Sequence, residues 1–260
     1  VSLWLNTIYE GGFVPWFGTQ LVNGNSLIGA RRQVYRIENA QSTSKGLRWY
    51  EIEPERVPLG TKRMPKKQVY HFLLGDPGMC SYSDKVIKQL EPANIKEMKD
   101  WNKKFTSPFT DDEVVTLLRL SAVIDELWEA QIQLRKEVGT KTQDALSIFG
   151  YTDDAEDSHT TIRQKDKIFS ELYKSEHMKN AGPYARLKFA MDYWCALWFW
   201  PIDKADLLPT RSEFLFDMSL ILEGTMASVN VNAGQLSFFG TTEMEQLSMD
   251  IIDTYGTDTI

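Results

Sequence analysis

The chain is poor in the residues that announce chemistry. Its 260 residues hold two cysteines, Cys80 and Cys195, and three histidines, His71, His159 and His177. Two distant cysteines make no disulfide framework and suit a reducing cytoplasm, which is the expected location. The histidines have no metal-ligand spacing to one another or to either cysteine, so they read as structural. No P-loop, no Gly-x-Ser-x-Gly elbow and no Gly-x-Gly-x-x-Gly occurs, which removes the common signatures of nucleotide hydrolysis, esterase chemistry and dinucleotide binding. Positive charge is in deficit: 29 Lys and Arg stand against 36 Asp and Glu, a net charge of -7. The surface as a whole is therefore no nucleic-acid grip, because phosphate rewards positive charge, although a local basic patch remains compatible. The longest apolar run, Ala196–Pro201, is far too short to cross a bilayer, so no membrane partner is expected. No stretch reads as a signal peptide, a repeat or a low-complexity tract. An initiator Met is also missing, and an apolar segment is already under way at Val1. The chain is accordingly expected to be a piece of a longer protein.

What is abundant is apolar and aromatic. The hydrophobic share is 42%, with eight Trp and 13 Phe. That is enough for one large domain or two small ones with a substantial core. It also suits surfaces made to meet another domain.

Local signals place the elements unevenly. Residues 1–9 read as the end of a helix, stopped by Gly11-Gly12. Residues 31–36 and 68–73 could be short strands, separated by a loop containing Pro54, Pro58, Gly60 and Pro65. Helices are expected over 83–89 and 92–105. The strongest helical signal follows: Thr110 as N-cap, Asp111, Asp112 and Glu113 in the first turn, apolar residues from Val114 to Val138 at helical spacing, and Gly139 as the stop. Residues 140–158, with Asp153, Asp154, Glu156 and Asp157, read as a solvated connection. A charged amphipathic helix is expected over 161–179. Residues 184–200 form a helix apolar nearly all round, which should be central, with Pro201 ending it. Thr210 with Glu213 opens another that Gly224 ends, and Thr241 or Thr242 caps a last helix reaching Tyr255.

Three features invite a functional reading. Trp194, Trp198, Phe199 and Trp200 could form a base-stacking platform, but their run with Leu187, Phe189, Met191, Leu197 and Ile202 reads as core. Arg31, Arg32 and Arg36, then Lys62, Arg63, Lys66 and Lys67, form two basic patches. They could touch DNA phosphates or be a solvated basic loop, and spacing alone does not decide. Gly24-Asn25-Ser26-Leu27 is compatible with a turn. At the end of a strand in an α/β domain it could instead hold a ligand, because the Asn25 amide both donates and accepts, which suits an adenine edge.

Several strings together resemble the large Eco57I-like adenine-specific DNA methyltransferases of type II restriction–modification and related phage-defence systems. They are Val1-Ser2-Leu3-Trp4-Leu5 followed by Gly24-Asn25-Ser26-Leu27-Ile28-Gly29, Val69–Leu74 with Asp76-Pro77-Gly78-Met79, Arg186–Ile202, Leu208-Pro209-Thr210-Arg211, and Leu220–Gly224. The resemblance spans most of the chain, and the Trp-rich string is its most distinctive part. It implies that Gly24, Asn25, Ser26 and Leu27 bind the adenine of S-adenosylmethionine, with Asn25 near the exocyclic amine. It also implies methyl transfer to adenine N6 in duplex DNA with base flipping. The family's Asn/Asp-Pro-Pro-aromatic catalytic tetrapeptide is absent. The nearest string, Ser107-Pro108-Phe109, lacks the second proline and the leading amide. The upstream Gly-rich donor loop is absent too. No catalytic residue is therefore assigned to this chain.

The resulting expectation is a mainly α chain: a helical insertion domain over 83–260, a mixed loop and short-strand region over 31–82, and over 1–30 a small α/β remnant of a methyltransferase fold. Its partners would be duplex DNA, met through the parent protein, and the remaining methyltransferase and target-recognition domains. By itself the chain is expected to be inactive. The alternative is a non-catalytic helical module that docks partner domains or subunits.

Overall fold

The computed structural model describes residues 5, 16–18, 21, 28–41, 46–58, 60–143, 160–173 and 182–224. The expected helices over 1–9 and 241–255 and the connection over 144–158 lie outside the described residues. The described residues are mainly helical and include one small three-stranded sheet. The chain divides into two compact units: Val1–Leu27 with Glu126–Ala185, and Ile28–Asp125 with Arg186–Ile260. The mixed region shares the second unit with residues 83–125 and 186–224, whereas residues 126–185 belong to the first.

The larger unit contains the sheet. Strand β1 (Gln33–Arg36) lies between β2 (Glu55–Arg56) and β3 (Gln68–Tyr70), antiparallel to both. Val34 faces Tyr70 and Arg36 faces Gln68 in register. Residues 68–73 are not one strand as expected, because the chain coils into a 3-10 turn over His71–Leu73. That turn buries Phe72 and Leu73 in succession, which strand alternation would not do. A one-turn helix α1 (Ile37–Ala40) follows β1 directly.

Helix α2 (Lys85–Leu90) begins where the Asp84 carboxylate accepts the Val86 and Ile87 amides. Helix α3 (Pro92–Phe105) uses Pro92 at its first position, where the missing N–H costs nothing. Helix α4 (Asp111–Lys141) starts on the expected capping box: Thr110 N–H donates to Glu113 Oε2 at 2.8 Å, and Glu113 N–H donates to Thr110 Oγ1 at 3.3 Å. Within the larger unit its buried stripe is Val114, Leu117, Leu120, Ser121 and Ile124. The helix runs through Gly139 instead of ending there. The glycine has open space around it, and Lys141 pairs with Glu137 one turn back. Helix α7 (Arg211–Glu223) has the expected Thr210–Glu213 capping box and ends on Gly224 with φ of 77°.

The Trp-rich segment departs most from expectation. Helix α6 (Pro183–Ala196) stops four residues early, and residues 197–200 form a tight turn with Trp198 N–H on Cys195 O and Phe199 N–H on Ala196 O. Pro201 disfavours helical geometry at residue 200, so the last turn tightens before it. The helix is not buried all round. Leu187, Ala190 and Tyr193 face inward, whereas Tyr184, Lys188, Phe189 and Asp192 face out.

The core of this unit is aromatic. Phe214 is fully buried and contacts Phe105 and Tyr193, with ring centroids 5.3 and 5.4 Å apart. Each such ring contributes about 1.5–3 kcal/mol by leaving water. Trp49 lies against Phe109 and donates from Nε1 to Gly75 O at 2.7 Å. A Cβ on Gly75 would stand 2.4 Å from Phe105 Cδ1. Phe105 has no room to retreat, because it stacks on Trp101 and meets Phe214. Gly75→Ala is expected to destabilise by about 2 kcal/mol through overpacking. Urea unfolding reads this directly, and a midpoint equal to that of the parent chain would mean the Phe105 pocket has slack.

In the smaller unit, helix α5 (Ile162–Tyr173) holds Trp16, whose Nε1 donates to Asp166 Oδ1 at 2.8 Å and whose ring meets Phe169 edge-on. Among the described residues no helix is long and apolar enough to cross a membrane.

Candidate functional site

Gly24, Asn25, Ser26 and Leu27 lie outside the described residues. The chain is described again from Ile28, and its exit from that segment is held by residues far along the sequence. The Arg31 main chain meets His71 Nε2, which accepts from Arg31 N–H at 3.0 Å in one tautomer or donates to Arg31 O at 2.9 Å in the other. The Cys195 thiol lies beside the Ala30 backbone. The His71 ring is wedged edge-on between Phe72 and Trp194. Burial pushes its pKa down to about 4, so the ring is neutral and serves as a latch on the chain. Among the described residues no group of His, Cys, Asp and Glu could hold a metal ion.

The strings singled out in sequence meet in space. Trp194 Nε1 donates to Leu74 O at 2.8 Å, and Cys80 Sγ donates to Leu197 O at 3.1 Å. Tyr82 donates to Trp200 O. A Cβ on Gly78 would come within 2.7 Å of the Trp198 ring, so only glycine lets the 76–79 turn lie under that indole. Asn102 clamps the turn from below, its Nδ2 reaching Asp76 O at 3.0 Å and Met79 O at 2.8 Å. Trp101 Nε1 reaches Pro209 O at 2.7 Å. The Trp-rich segment is thus tied down by backbone carbonyls and is no stacking platform, except that Phe199 is 63% exposed. Cys80 is buried, and burial pushes its thiol up to about 12, so it is no nucleophile.

The seven basic residues have two fates. Arg63 is withdrawn from any phosphate: it is 3% exposed, its Nε lies 2.8 Å from Asp125 Oδ2, and its Nη1 donates to Pro65 O and Gln68 O at 3.0 and 2.7 Å. Arg32 is half-buried and donates to Pro58 O at 3.0 Å and Thr61 O at 3.1 Å. Arg63 is thus a strut inside the fold and does not reach a phosphate, while Arg32 braces the loop from a partly exposed position. Arg31, Arg36, Lys62, Lys66 and Lys67 are exposed.

Ser107-Pro108-Phe109 is structural as well. The Arg211 guanidinium accounts for it: Nη1 donates to Ser107 O and Oγ, Nη2 to Pro108 O, and the carbon sits 4.5 Å over the Phe109 ring. The same guanidinium forks onto Glu113 at 2.7 and 3.0 Å. It stands at one wall of a groove of about 620 Å³ between α3 and the start of α7, lined also by Lys96, Glu97, Asp100, Trp101 and Lys104. With Arg211 turned onto its own fold, the groove offers mixed surface charge and half-buried Trp101.

Sequence reasoning missed Asp125, Ser121 and Asn102. Ser121 Oγ accepts the Tyr70 amide at 3.3 Å, and Asp125 forms an ion pair with Arg63 and accepts the Tyr70 hydroxyl at 2.8 Å. Their signal was present: two polar residues four apart on or beside the apolar stripe of α4. Comparison with family models, with curated proteins and with solved structures yields no match to the chain.

Proposed function

We propose that the chain is a segment of an adenine-specific DNA methyltransferase of a restriction–modification or phage-defence system. In that protein it supplies part of the methyl-donor pocket through Gly24, Asn25, Ser26 and Leu27, and a helical insertion that does no chemistry itself. S-adenosylmethionine supplies the methyl group, and the acceptor is N6 of an adenine turned out of the duplex. The groups that hold the target amine belong to parts of the parent protein beyond this chain, since the Asn/Asp-Pro-Pro-aromatic string is not in it.

One observation carries the reading. Strings that resemble this family and stand more than a hundred residues apart pack on one another, and the exit of the Gly24–Leu27 segment is latched to the same body. Trp194 binds Leu74 O, Trp198 covers Gly78, and His71 binds the Arg31 main chain.

A second reading is favoured by exposed aromatics. Phe199 and Phe216 are 63% and 52% exposed, alongside Val115 at 65%. Apolar groups presented this way suit a module that docks neighbouring domains or subunits. The two readings act at different scales, catalysis in the parent and docking by the insertion.

Calorimetric titration of S-adenosylmethionine into the full-length protein tests the first reading. Saturable binding, weakened at least tenfold by Asn25→Ala and absent from this chain alone, is the expected result. A folded full-length protein that does not bind the donor would overturn it and leave the docking module.

A further inference from the structure

We infer that the loop 60–68 is a preformed ridge that grips the phosphate backbone of duplex DNA through Lys62, Lys66 and Lys67, with Arg36 beside it. The inference rests on the reading of DNA as the substrate. Residues 56–75 hold Arg56, Lys62, Arg63, Lys66 and Lys67 and no acidic residue, in a chain whose net charge is -7. A local excess of this sign against the balance of the whole chain selects a polyanion.

The geometry separates this loop from an ordinary solvated one. Arg63, buried beneath it, holds Pro65 O and Gln68 O, and Arg32 holds Pro58 O and Thr61 O. Met64 N–H donates to Gln68 Oε1 at 2.7 Å, and Gln68 N–H donates to Met64 O at 3.0 Å. Ile37 N–H donates to Lys67 O at 2.9 Å, which sets Lys67 next to Arg36. The backbone is therefore fixed at both ends and in its middle before any ligand arrives. Ordering cost, the usual penalty of a basic loop on binding, is largely met in the free protein. Lys62, Lys66 and Lys67 all point to solvent, and none pairs with a carboxylate among the described residues. The one side-chain amide of the loop, Gln68, is spent on the Met64 amide and on the Glu55 carboxylate at 2.7 Å each, so the grip is on phosphate and carries no base readout.

The test is duplex DNA binding by the full-length protein over a salt series, with Lys62, Lys66 and Lys67 all changed to Gln. The slope of log affinity against log salt is expected to fall by about 2.7, at about 0.9 per phosphate contact. A matched triple on the exposed face of α3, Lys96, Lys99 and Lys103 to Gln, removes the same charge elsewhere and is expected to leave the slope nearly unchanged. An unchanged slope in the loop triple overturns the proposal. So does an equal fall in both triples, which would mark a diffuse charge effect. Donor titration on the same samples keeps the two ideas apart. Donor binding with no slope change sinks the ridge alone. A slope change without donor binding sinks the methyltransferase reading alone.

Discussion

Asp125→Ala is expected to destabilise the larger unit by about 2–3 kcal/mol, below the range for a fully buried pair because the Asp125 side chain is 34% exposed. The Arg63 side chain is 1% exposed and faces Asp125 Oδ2 at 2.8 Å. Removing the carboxylate leaves the guanidinium charge in the interior, held only by neutral carbonyls. It also strips the acceptor from the Tyr70 hydroxyl, which is 2.8 Å from Asp125 Oδ1. That hydroxyl already titrates at about 12, first because it is buried and then because Asp125 stands beside it, so it cannot relieve the site by ionising. The expected reading is a lowered denaturant midpoint with an unchanged slope. A double change, Arg63→Met with Asp125→Leu, separates charge from packing. It should recover much of the loss, because apolar replacements of a buried pair are often neutral or better. If Asp125→Ala costs less than 1 kcal/mol, Arg63 is not relying on it, and the loop 60–68 has another anchor.

The same residues show where sequence reading stops. Lys62, Arg63, Lys66 and Lys67 form one run of like residues, and nothing local distinguishes them. What distinguishes them is a helix more than fifty residues away that puts Asp125 under Arg63. Burial of a long cation is decided by a tertiary partner. The run was legible as a basic patch, but its division into one strut and three exposed groups was not.

Helix starts were legible because their causes are local. Thr110 with Glu113, Thr210 with Glu213, and Pro92 each satisfy or remove an orphan amide within four residues. Helix ends were less so. Gly139 looks like a stop, but a glycine ends a helix only where the next turn needs a positive φ, and here the helix simply passes through it. Gly224 does adopt that φ, with the Arg186 guanidinium against it. The Trp-rich segment misled for a related reason. Composition called for a helix buried all round, yet the indoles need partners for their N–H groups. Trp194 and Trp200 find them on backbone carbonyls, whereas Trp198 Nε1 is buried without one, and the chain leaves the helix before Pro201. The second strand of the sheet, two residues between Pro54 and Pro58, had too little length to signal itself. The Arg31 main chain is held by His71, a contact that no spacing in the sequence foreshadows.

Asp217→Asn is expected to remove a pH dependence worth about 3 kcal/mol, at about 1.36 kcal/mol per pKa unit. Asp217 is 3% exposed and accepts a hydrogen bond from the Tyr193 hydroxyl at 2.8 Å. Burial raises its pKa from 3.8 to about 6, with the nearby Glu213 carboxylate adding to the rise and the Tyr193 hydrogen bond opposing it. The sign follows from which state holds the proton. Below pH 3.8 the carboxyl is protonated folded and unfolded, and the fold bears no cost. Between pH 3.8 and about 6 the unfolded chain releases its proton while the folded chain keeps it, so stability falls as pH rises. Above about pH 6 the folded chain carries a buried carboxylate and the full cost is in place. Asn keeps an acceptor for Tyr193 and cannot ionise. Unfolding free energies at pH 4 and pH 7 should therefore differ by about 2.4 kcal/mol more in the parent chain than in the variant, since the unfolded carboxyl is already partly ionised at pH 4. Tyr193 cannot mask this, since burial and Asp217 both push its hydroxyl upward, away from the range tested. Equal pH dependence in the two proteins would mean that Asp217 ionises freely and that the junction of α6 and α7 is open to water. That result would also weaken the docking reading, because the exposed Phe189 and Phe216 of those helices would then sit on a loose frame.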